Sequence, residues 1–127
     1  MLRSISASRK KTILWKNIIY NELIIRGYNV DVGVVEYSQK DGGKSIRKRV
    51  EVDFFCNRGS RRYYIQSAFA IPDQDKMEQE QNSLIRIDDS FKKIIVVKDK
   101  INLWRNEKGI LIMEVMEFLL NENSLDL

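Results

Sequence analysis

A chain of 127 residues with 43% hydrophobic and 31% charged side chains fits one compact soluble-type domain. It has no histidine and a single cysteine, which excludes Ser-His and Cys-His catalysis, histidine-ligated zinc and an internal disulfide, so any chemistry must use carboxylates, amides, lysines or a hard metal ion. The net charge of +4 permits an anionic partner such as nucleic acid without requiring one.

Residues 1–11 carry Arg3, Arg9, Lys10 and Lys11, read as a basic leader. No apolar core of a secretion signal follows, because Lys16 and Asn17 interrupt Ile13 and Leu14, and no stretch approaches the roughly 20 apolar residues of a membrane span. The expectation is a cytoplasmic protein with no membrane partner. The domain proper is expected over residues 12–121, followed by a polar tail at 122–127.

Residues 12–26 predict a helix, with Trp15, Ile18, Glu22 and Ile25 along one stripe and Ile19 and Leu23 beside it; Gly27 is placed to end it as a left-handed cap. The β-branched run Val30, Val32, Val34 and Val35 predicts a strand over 28–37, and residues 38–43 supply turn chemistry. The returning strand, 46–56, alternates, with Val50, Val52 and Phe54 expected on one face and Glu51, Asp53 and Phe55 on the other. A second tight turn at 57–60 leads into a strand over 61–69, where Tyr64, Gln66 and Ala68 share a face opposite Tyr63, Ile65, Ser67 and Phe69.

Asp73 is the expected N-cap of a helix running to about residue 86 on Met77, Gln81, Leu84 and Ile85. The unbroken run Ile94-Ile95-Val96-Val97 is what a strand covered on both faces looks like, so it is expected in the middle of the sheet. A short strand at 110–113 and a helix at 114–120 close the domain. The order α-β-β-β-α-β-β-α gives an α/β fold: a mixed β-sheet flanked by helices.

Gly43-Lys44-Ser45 echoes the end of a phosphate-binding loop, but Ser38 stands where that motif needs its first glycine, and a strand rather than a helix follows. Glu22, in an apolar helix stripe, needs a cation or a solvent-lined cleft; Arg26 at i+4 is one such partner. Asp53 and Gln66 lie on strands joined by a short turn, where they either converge with Glu22 around one point or make ordinary bridges and hydrogen bonds of their own. Lys44, Arg47, Lys48 and Arg49 form one basic cluster and Arg58, Arg61 and Arg62 another, at opposite ends of the meander. Both are candidate phosphate contacts, and both read equally as solvated hairpin charge.

The strings Ile19-Tyr20-Asn21-Glu22-Leu23, Arg26-Gly27-Tyr28, Val52-Asp53-Phe54, Tyr64-Ile65-Gln66-Ser67-Ala68 and Ser83-Leu84-Ile85-Arg86-Ile87-Asp88-Asp89, in that order, resemble the C-terminal domain of prokaryotic AAA-type ATPases. That domain is similar in fold to PD-(D/E)XK, restriction-endonuclease-like nucleases. The resemblance implies that Glu22 matches the helix-borne acid, Asp53 the acid of the second core strand and Gln66 the acidic position of the E-x-K element, with Mg²⁺ as the possible metal. Ala68 stands where the lysine that orients the attacking water belongs, and only a lysine reaching the site from elsewhere in the chain would restore it. The implied function is a degenerate, noncatalytic nuclease-like module that works beside an ATPase module and contacts double-stranded DNA or a protein partner. Two alternatives are an active Mg²⁺-dependent endonuclease and a structural interaction domain without nucleic-acid affinity.

Overall fold

The computed structural model describes residues 7–127, with side chains from Lys10 onward. Residues 1–6, including Arg3 of the expected leader, lie outside the described residues. Helix α1 spans Ala7–Ile25, so it takes in most of the remaining leader. Its buried stripe is Trp15, Ile19 and Leu23, an i, i+4, i+8 row; Ile18 and Ile25 face outward, which moves the stripe off the predicted line and leaves Glu22 at its edge. Gly27, at φ 85°, ends the helix as predicted, a conformation that costs glycine little.

Six strands form one mixed sheet in the order β1-β2-β3-β4-β6-β5. β1 (Asn29–Asp41), β2 (Lys44–Arg58) and β3 (Arg61–Ala68) are the antiparallel meander. Helix α2 (Gln74–Ile85) crosses over to β4 (Lys92–Val97), which is parallel both to β3 and to β6 (Leu111–Glu114). Ile94 to Val97 are buried, as their apolar run predicts. Asp73 caps α2, its carboxylate accepting from the Lys76 N–H at 2.8 Å. The two-residue strand β5 (Trp104–Arg105) was not predicted; it is too short to show a period. Helix α3 (Val115–Leu120) and a 3-10 turn at Ser124–Asp126 close the chain.

Helices cover both faces. Trp15, Ile19 and Leu23 of α1 pack with Val115 and Phe118 of α3 on one side of the sheet, while Met77 and Leu84 of α2 pack on the other. Leu125 belongs to the α1-side core and Ser124 is fully buried, so the residues expected to be a polar tail are a packed element.

Two features of the first hairpin matter for function. It is longer than predicted, because the strands continue to a two-residue turn at Gly42 and Gly43, both with positive φ, the pairing a tight hairpin turn requires. β2 also bulges: Asp31 pairs with Phe55 but Gly33 pairs with Val52, leaving one extra residue in β2 around Asp53 and Phe54. Strict alternation put Val52 and Phe54 on one face. The bulge separates them, sending Val52 into the α2-side core and Phe54 into the α1-side core.

Candidate functional site

The bulge re-aims Asp53. Its Oδ2 accepts from the Ser67 N–H at 3.0 Å and the Ser67 hydroxyl at 2.7 Å, and its backbone N–H donates to Gln66 Oε1 at 3.0 Å. Gln66 thus reaches the backbone of Asp53, while the Asp53 carboxylate turns to Ser67, its neighbour on β3. The remaining carboxylate oxygen, Oδ1, meets Lys16 Nζ of α1 at 3.1 Å. The partners of Asp53 are therefore Ser67, Gln66 and Lys16.

These groups line a cleft of about 520 Å³ between α1, the ends of β2 and β3, and the start of α2. Lys76 and Glu80 of α2 line it too and pair with each other at 2.8 Å. The cleft thus contains two ammonium groups and two carboxylates, each matched to its opposite. Trp15 also lines it, and its indole N–H is buried without an acceptor.

Glu22 is elsewhere. Its carboxylate accepts from Arg26 Nε at 3.0 Å, the i+4 partner that helix spacing offered, and it borders a separate cleft near Arg58 and Arg61. Arg26, with a side chain only 10% exposed, also donates to Ser124 Oγ and to the carbonyls of Phe118 and Asn121, and stacks on the Phe118 ring. Glu22 and Arg26 are a clamp between α1 and the C-terminal segment. The three polar residues that the resemblance gathers at one point are two at the cleft and one outside it.

The donor set does not fit a divalent cation. Asp53 and Gln66 already spend their oxygens on donors inside the protein, an ammonium occupies the open side of the carboxylate, and no group of three metal-ligating side chains forms among the described residues. Ala68 is buried in the α2-side core. The ammonium at the cleft comes instead from Lys16, which sequence reading did not single out. A signal existed: Lys16 interrupts the apolar start of α1 and directly follows the buried Trp15, so it sits at the edge of the packed face.

The basic residues divide sharply. Arg58 donates to the Arg26 carbonyl at 2.7 Å and lies over the Tyr28 ring. Arg61 pairs with Asp126 at 3.4 Å, and Arg62 donates to Asn57 Oδ1 at 2.9 Å while lying over Phe55 and Phe91. At the other end, Lys44 to Arg49 are all exposed; Arg47 pairs with Glu36 at 2.9 Å, whereas Lys44, Lys48 and Arg49 make no ion pair among the described residues.

Cys56 is a core residue; burial pushes its thiol up to about 12, with the hydrogen bond to the Tyr63 carbonyl opposing. Tyr63 is raised as well, first by burial and then by its bond to Asp126. Neither group is poised for chemistry near neutral pH. No helix is long and apolar enough to cross a membrane among the described residues.

No protein-family model matches the chain. It is similar to an uncharacterized protein of Haemophilus influenzae, with 31% identity over 105 residues that make up 83% of this chain and 22% of that protein. The chain thus spans about a fifth of the length of that relative.

Proposed function

We propose that the chain is a noncatalytic, PD-(D/E)XK-like module that contacts duplex DNA and works beside an ATPase module in a longer protein. The observation that supports the noncatalytic part is that Glu22 lies outside the cleft, held by Arg26, so of the three matched positions only Asp53 brings an acid to it. Lys16, 3.1 Å from Asp53, is a lysine reaching the cleft from elsewhere, and it supports the alternative of an active Mg²⁺-dependent endonuclease. The mixed sheet with helices on both faces and the strand order are compatible with the resemblance. The greater length of the Haemophilus influenzae relative is compatible with a partner module in the same polypeptide. The unpaired cations of the first hairpin favour DNA over a purely structural role.

A plasmid-nicking assay with Mg²⁺ and Mn²⁺, run alongside duplex binding at low salt, tests both halves. Binding without cleavage is expected. Metal-dependent nicking that Asp53→Ala abolishes would overturn the noncatalytic reading, and absence of binding at low salt would remove DNA and leave a protein partner.

A further inference from the structure

The first hairpin leaves the sheet. β3 pairs with β2 only over Phe54 to Arg58, and from Lys44 to Arg49 and Ser38 to Asp41 every residue is exposed. These six residues of β2 and their partners form a free two-stranded ribbon about 20 Å long. Between Val34 and Glu51 it carries five basic and three acidic side chains.

Its two faces differ. Directly opposed residues of an antiparallel pair share a face, and successive pairs alternate. Val35, opposite Val50, packs on the α2-side core, so the pairs Glu36–Arg49, Ser38–Arg47 and Lys40–Ser45 face the α1 side. That face is all hydroxyl and charge, with three cations to one carboxylate. The only ion pair on it, Arg47 with Glu36, has side chains 81% and 54% exposed, so it holds Arg47 weakly.

Helix α1 points the same way. Its C-terminal end meets Arg58, while Lys16 meets Asp53 nearer the ribbon, so the helix runs toward the ribbon when followed backward. Residues before Lys16 therefore extend past the sheet on the same side, with Lys10 and Lys11 exposed. Two basic projections leave one end of one face.

We propose that this ribbon enters the major groove of B-form DNA, with Lys40, Arg47, Arg49 and the Ser38 and Ser45 hydroxyls toward the base edges, and Lys10 and Lys11 on a flanking phosphate strand. The inference rests on the DNA-contact reading and assigns its surface. The major groove, about 12 Å wide, admits a two-stranded ribbon, and Arg, Lys and Ser supply the donors that its acceptor-rich edges take. The deep, narrow major groove of A-form RNA does not admit one. Arg58, Arg61 and Arg62, held by internal partners at the far end of the meander, have no part in it.

The test is fluorescence anisotropy of the full chain on a labelled 20-base-pair duplex across a salt series. Combining Arg47→Ser with Arg49→Ser should weaken binding at least about tenfold, and combining Lys10→Ser with Lys11→Ser should lower the slope of log K against log salt by about 2. Combining Arg61→Ser with Lys108→Ser, an equal charge change elsewhere, should leave both nearly unchanged. The major-groove ligand methyl green should displace the protein, and the minor-groove ligand netropsin should not. Loss of binding in the control pair but not in the ribbon pair would overturn the assignment while sparing DNA contact. Displacement by netropsin alone, or equal affinity for an RNA duplex, would overturn the groove. A wild-type chain that binds no duplex at low salt would remove the underlying DNA reading itself.

Discussion

Strand β2 has a cluster of cations at each end, alike in residue type and opposite in circumstance. At its start, Lys44, Lys48 and Arg49 are exposed and make no ion pair among the described residues. At its end, Arg58 and, across the turn, Arg61 and Arg62 are tied to a carbonyl, a carboxylate, an amide and three aromatic rings. Charge that neighbours have claimed serves the fold; charge left unclaimed is free for a partner. The same contrast separates the two acids that sequence reading grouped together. Glu22 belongs to the clamp around Arg26, whereas Asp53 belongs to the cleft.

The contrast is broken most forcefully at the clamp. Arg26→Ala removes the partner of Glu22 and the guanidinium that joins Ser124, Phe118 and Asn121 to α1, although Ser124 keeps its own bonds to the Phe118 and Asn121 carbonyls, so urea unfolding should show a loss of about 3 kcal/mol, with Arg26→Lys recovering only part because an ammonium cannot reproduce the planar fork. A loss below about 1 kcal/mol would mean that the clamp is ornamental.

A second effect, confined to alkaline pH, is expected from Cys56 near the engaged end of β2. Its thiol rises from 9.0 to about 12 on folding, so the unfolded chain ionises it first, and stability should fall as pH climbs from about 9 toward 12. Cys56→Ala should flatten part of that decline in pH-dependent thermal melts, Tyr63 supplying a further part of the same sign. An unchanged slope would show the thiol to be less buried than described.

The smallest change is expected at the free end. Replacing Lys44, Lys48 and Arg49 with glutamine should leave unfolding free energy within about 0.5 kcal/mol of wild type, since these side chains touch nothing that folding needs. A larger loss would place those cations in the fold's service.

Periodicity and end signals made much of the architecture legible. The Asp73 cap, the Gly27 stop, the buried run at Ile94 to Val97 and the meander with its crossover helix all follow from local rules about capping, backbone conformation and alternation. Where those rules met a single inserted residue they failed, since one bulge near Asp53 moved Phe54 to the opposite core. The packed Ser124–Asp126 turn was missed for a similar reason: its burial comes from Arg26, nearly a hundred positions away in the chain.

The amino-acid order therefore determined which segments form helices and strands, and which chemistries a chain without histidine cannot perform, because both depend on nearest neighbours or on composition. Which charges meet was decided only when α1 and the C-terminal segment docked on the sheet. Docking gave Asp53 to Lys16 and Asp126 to Arg61, whereas helix spacing had already offered Arg26 to Glu22, since an ion pair between distant positions depends on separation in space and not on distance along the chain.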